Sequence, residues 1–168
     1  MADKYLKLNA GVPTETEATI SSAGAGDAGK IPALDGAGKL DSTMMPTGIG
    51  ADTSSVVSSE NLAAGDFVNI YDDAGTPKVR KADATTAGKE AHGFVLAGVT
   101  APAAATVYFE GSNDQVAGAT AGKVFLATTA GGFVGTAPSA SGNVVQQIGV
   151  ATSATSINVE VGQHYVLA

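Results

Sequence analysis

The sequence predicts an all-β protein: a small β-barrel or sandwich built from two similar β units, preceded by an extended N-terminal arm. Three observations carry this. Short alternating apolar and polar runs are punctuated by turn signals roughly every 8–12 residues, and helix formers are scarce. The last two thirds of the chain state one pattern twice, over residues 61–111 and 118–162. Residues 1–55 carry Gly, Ala, Ser, Thr and Pro without sustained periodicity.

The arm comes first. The run Gly24-Ala25-Gly26-Asp27-Ala28-Gly29 should not form a regular element. Short apolar groups recur instead: Tyr5 and Leu6, Ile31 and Leu34, Leu40, Met44 and Met45, and Ile49. That is the pattern of a segment that docks a few anchors on another surface and is flexible when unbound.

The compact β domain is expected over residues 56–168. Asp66-Phe67-Val68-Asn69-Ile70-Tyr71 alternates, Asp72-Asp73-Ala74-Gly75 turns, and residues 76–82 return. Residues 85–90 read as a loop or a single helical turn, and 91–97 and 105–110 as strands. The second unit repeats the order: residues 123–128, a turn at Thr129-Ala130-Gly131-Gly132, a return at Phe133-Val134-Gly135, a loop, then strands over 144–151 and 156–161. The matched segments are offset by 57, 56, 56 and 51 residues. The closing Tyr165-Val166-Leu167 is an apolar tail, able to add a last strand or to dock on a neighbouring subunit.

Composition bounds the function. Of 168 residues, 31 are Ala and 22 Gly, with five Phe, four Tyr and no Trp, so large apolar side chains are few and the core is thin. Oligomerisation is a common remedy for such a core, and a homotrimer is expected. The net charge of −7 argues against nucleic-acid binding. The one basic cluster, Lys78, Arg80 and Lys81, reads as a solvated strand face. There is no cysteine, so disulfides and thiolate metal sites are excluded. The N-terminus is polar rather than a signal peptide, and no apolar run nears the ~20 residues of a membrane helix, so a soluble chain without a membrane partner is expected.

No motif predicts chemistry. Residues 24–29 match G-x-G-x-x-G, and residues 24–30 the G-x-x-x-x-G-K of a phosphate loop. That mechanism needs a strand before and a helix after, whereas here Ile31-Pro32 follows. His92 and His164, the only histidines, have no positioned partner in sequence. Asp66, Asp72, Asp73 and Asp83 lack calcium-loop spacing. No cofactor, metal site or enzymatic activity is expected.

Two stretches resemble tailed-bacteriophage virion proteins. Gly29-Lys30-Ile31-Pro32-Ala33-Leu34-Asp35-Gly36-Ala37-Gly38-Lys39-Leu40-Asp41-Ser42-Thr43-Met44-Met45-Pro46 resembles a segment of phage tail fibres and head-attached proteins. Residues 124–161, with Gly142-Asn143-Val144-Val145-Gln146-Gln147-Ile148-Gly149, are similar to a β module of the same proteins. The unit beginning Asn61-Leu62-Ala63-Ala64-Gly65-Asp66-Phe67-Val68 is similar to capsid decoration, or head cement, proteins. The resemblance implies a structural virion protein, often trimeric. It would be made in the host cytoplasm and carried on the outer surface of the capsid. There it locks neighbouring major capsid proteins against internal DNA pressure, while an arm bearing the apolar anchors named above reaches over the lattice. The alternative it implies is a short tail-fibre or baseplate adhesin that binds a host-surface glycan.

Overall fold

A computed structural model describes residues 3–45 and 50–168, which divide into two compact units at Gly50/Ala51. The boundary falls a few residues before the expected one, because strand pairing already begins at Thr53.

The first unit opens with an antiparallel hairpin of β1 (Lys4–Asn9) and β2 (Val12–Glu17). Where an extended arm is expected, the structure holds a regular hairpin. Ala10 and Gly11 both have positive φ, 49° and 83°, the sign of the two-residue turn whose twist matches a hairpin. Alternation does not announce these strands because neither face is buried in a core. Beyond the hairpin the backbone is held by short polar devices. Asp35 Oδ1 accepts from the N–H groups of Ala37 and Lys39, and Asp41 caps a 3₁₀ turn at Ser42–Met44 by accepting from Thr43 N–H. The glycine-rich run holds one 3₁₀ turn, Ala25–Asp27.

The second unit is all-β. Five strands close a barrel: β3 (Thr53–Ser58), β4 (Phe67–Asp73), β5 (Thr76–Lys81), β6 (Gly93–Phe94) and β7 (Ala104–Tyr108), in the order β3-β5-β4-β6-β7. The closing β3–β5 pair is parallel and the others are antiparallel. A sheet follows, built from β8 (Glu110–Asn113), β9 (Gly122–Leu126), β10 (Phe133–Val134), β11 (Val144–Ser153) and β12 (Ser156–Glu160), in the order β10-β9-β11-β12-β8. A last short strand, β13 (His164–Val166), pairs with the first three residues of β11.

Read from the same starting point, the barrel runs β5-β4-β6-β7-β3 and the sheet β10-β9-β11-β12-β8, one strand order used twice. The register refines the match at its end. An offset of 51 sets buried Val107 against exposed Asn158, whereas an offset of 50 sets Val107 against buried Ile157. A one-residue slip exchanges the two faces of a strand.

The barrel strands near its seam are buried on both sides. Val68 and Val95 point into the barrel with Val56, Leu62, Val79, Ala105 and Val107. Their neighbours Phe67 and Phe94 point outward, onto a second core shared with Val124, Leu126, Val144, Ile148, Ile157 and Val159 of the sheet. Phe67 meets Phe133 edge-on at 6.4 Å, and Phe94 stacks on Tyr108 at 5.5 Å. The strand expected over 91–97 shortens to Gly93–Phe94: before it the His92 and Gln146 side chains take over ladder positions, and after it Val95 keeps backbone bonds to Asp66 and Gly65 outside the regular ladder.

Candidate functional site

Two surfaces stand out, one in each unit. In the first unit no described residue is buried, yet it carries Leu6, Leu8, Val12, Ile20, Ile31, Leu34, Leu40 and Met45 as exposed large apolar side chains. Burying a side chain of this kind is worth roughly 1.5–3 kcal/mol, so leaving so many in water forgoes a large driving force.

The hairpin distributes these groups unequally. Strand alternation and the register put Lys4, Leu6 and Leu8 on one face with Pro13, Glu15 and Glu17. The opposite face holds Tyr5 and Lys7, and it is tied to the unit's own chain. Tyr5 Oη accepts from Ile31 N–H at 3.3 Å, and Lys7 Nζ donates to the Gly29 carbonyl at 3.4 Å. The face bearing Leu6 (75% exposed) and Leu8 (71%) is left open, with a Lys4–Glu15 ion pair beside it.

Of the anchors expected from sequence, Leu6, Ile31, Leu34, Leu40 and Met45 are exposed, while Tyr5 and Met44 are half-buried. Ile49 lies outside the described residues. Leu8, Val12 and Ile20 were missed. Leu8 sits between Lys7 and Asn9 and Val12 beside the turn, positions that only the hairpin register identifies as exposed apolar contacts.

The second surface is an open cleft of about 560 Å³ in the second unit. It brings together His92 and His164, which the sequence leaves 72 residues apart, with Glu90, Glu110 and Glu160. Ile70 and Phe109 supply apolar wall. His92 Nδ1 accepts a hydrogen bond from Ile70 N–H at 3.0 Å, so an imidazole supplies a rung of the ladder that β6 is too short to make. His164 Nε2 lies 3.3 Å from Glu90 Oε1.

Glu90 is fixed from several sides. Oε1 accepts from Gly88 N–H at 2.9 Å, and its backbone carbonyl accepts from Asn69 Nδ2 at 2.8 Å. Burial pushes its carboxyl up, but backbone hydrogen bonds and the two facing histidines outweigh that and hold it below the usual glutamate range. Gln146 of β11 clamps the same segment. It accepts from Ala91 N–H and donates to the Ala91 and Gly162 carbonyls, at 2.8, 3.0 and 3.2 Å. Neither role is announced locally in sequence, since Gln146 grips Ala91 from 55 residues away and Glu90 meets His164 across a similar distance along the chain.

The remaining sequence motifs resolve into structural roles. Lys30 Nζ pairs with Asp27 Oδ1 at 2.6 Å, and among the described residues no α-helix follows the glycine-rich run to receive a phosphate. Arg80 donates to Asn69 Oδ1 and the Gly88 carbonyl and lies over the Tyr71 ring. Lys78 pairs with Asp73 and Lys81 with Asp66. Asp72 accepts from Gly75 N–H in the turn, and Asp83 pairs with Lys89 at 3.0 Å. Thus the four aspartates do not converge. Among the described residues no group of three or more His, Asp or Glu is arranged to hold a metal ion.

Comparison with protein families, with curated proteins and with solved structures finds no match.

Proposed function

We propose that this protein is a structural component of a tailed-phage virion that binds the outside of the capsid and stabilises it by bridging neighbouring major capsid proteins. The observation that carries the reading is the first unit: among its described residues eight large apolar side chains are exposed and none is buried. A two-stranded hairpin without a covered face is marginal in water. Such a unit gains most when a partner covers it, and the open Leu6/Leu8 face together with Ile31, Leu34 and Leu40 is the surface to be covered. The compact second unit then stays on the exterior. A homotrimer belongs to the same reading, because several weak contacts from one oligomer add through effective concentration.

The test is binding to undecorated capsids by the full chain and by a chain lacking residues 1–50. The truncated protein is expected to keep its β fold by circular dichroism and to bind at least tenfold more weakly. Unchanged binding would overturn the reading.

A second reading, a short tail-fibre or baseplate adhesin, is favoured by one feature. The cleft presents Phe109 beside carboxylates and imidazoles, groups that stack on and hydrogen-bond to sugars. Glycan binding lost in a Phe109→Ala variant, with copies confined to the tail, would move the assignment there.

A further inference from the structure

The cleft joins two histidines whose protonation acts in opposite directions on two different elements. His164 opens β13, a strand that touches the rest of the unit thinly. Tyr165 (61% exposed) and Val166 (48%) point to opposite faces, so neither face of the strand is covered. Three ladder positions on β11 and the Leu167–Asn143 and Gly142–Leu167 backbone hydrogen bonds hold it. The contact from its own side chains to the barrel segment is His164 to Glu90. A positive imidazole there is attracted to the carboxylate; a neutral one loses that attraction.

His92 works the other way. Its Nδ1 is an acceptor for Ile70 N–H, a role only an imidazole unprotonated at that nitrogen can fill. Adding a proton at Nδ1 turns acceptor into donor and leaves the β4 amide facing another N–H.

We propose that this cleft is a two-histidine proton switch, in which acidification tightens the C-terminal strand against Glu90 through His164 and loosens the β4 ladder at Ile70 through His92. Imidazole is the side chain whose charge changes near neutral pH, which makes histidine the residue type suited to such a switch. The charged groups around it do not substitute for either histidine. Glu110 of β8 and Glu160 of β12 line the same cleft and favour positive charge in it. Arg80 of β5 is committed to Asn69 and the Gly88 carbonyl, and Lys89 to Asp83. The Glu90 carboxyl stays ionised to lower pH than usual, which keeps the His164 contact charged on the acid side.

The test is amide hydrogen exchange at single residues on the full chain at about pH 5.5 and 8, expressed as protection after correction for intrinsic exchange. Protection at Tyr165–Leu167 is expected to rise about two- to fivefold on acidification, the scale of a part-exposed ion pair. Protection at Ile70 is expected to fall over the same interval. His164→Gln removes the first change and leaves the second. His92→Asn keeps a neutral acceptor, so it removes the second and leaves the first. Glu90→Gln, which retains an acceptor for Gly88 N–H, also flattens the first. Flat profiles in the parent chain, both sites moving in the same direction, or a response at Tyr165–Leu167 that survives His164→Gln would overturn the proposal.

Discussion

At the scale of single residues, two features have measurable consequences. Ala74 has φ 53° in the β4–β5 turn, directly before Gly75 at 87°. The turn demands a left-handed pair, but only the second position has the residue for it. A side chain with a Cβ is strained there by roughly 1–2 kcal/mol, which asparagine tolerates better. Ala74→Asn should therefore raise unfolding stability by about 0.5–1 kcal/mol in urea titrations. The second feature is the pair of buried carboxylates. Burial pushes Asp83 up, but hydrogen bonds from Thr85 and Lys89 hold it below its ordinary value, as the backbone and histidines do for Glu90. A carboxyl lowered by folding contributes stability that is complete above its unfolded value of about 4 and is lost as pH falls through its lower folded value. The share of the thermal midpoint that comes from these carboxylates should therefore be level down to about pH 5 and drop below about pH 4. Asp83→Asn should lower the plateau and shallow the drop.

At the scale of elements, the turns and central strands were legible and the irregular pieces were not. The hairpin β4–β5 and the strands β9, β11 and β12 follow from apolar runs bounded by Gly-bearing turns. The hairpin β1–β2 escaped because its faces differ by what ties them down, not by burial. β6 was overestimated because the rungs before it come from the His92 and Gln146 side chains and those after it from Val95 bonding to Asp66 and Gly65 outside the regular ladder. The offset of the last repeat was misread by one, since Asn158 and Val159 both tolerate a strand and only the pairing with β11 decides between them. The two equivalent glycines of β6 and β11 show how closely the strands approach. A Cβ at Gly93 would lie 2.2 Å from the Tyr108 carbonyl oxygen, and one at Gly149 2.3 Å from that of Asn158. Both oxygens are backbone and cannot swing aside. Gly93→Ala and Gly149→Ala should each cost about 3 kcal/mol or more in equilibrium denaturation, a size reserved for strained backbone and overpacked cores. A change below about 1 kcal/mol would mean that the strands part easily.

At the scale of the molecule, the all-β class was readable. The cleft was not. It is assembled by β13 folding back on β11 and by Gln146 gripping Ala91, contacts over tens of residues that no local pattern encodes. The sharing of one core between barrel and sheet has a consequence for synthesis. The barrel strands are complete once Tyr108 has been made, yet the core onto which Phe67 and Phe94 point is completed stepwise by Val124, Leu126, Phe133, Val144 and Ile148, and last by Ile157 and Val159, about 50 residues later. At ~5–20 residues per second, a ribosome takes roughly 3–10 s to complete that cover. During that interval the nascent chain shows a greasy seam to the cell, and the low charge of the stretch still to come offers it little protection. Synthesis of this protein in quantity is thus a race between its second half and its neighbours on the polysome.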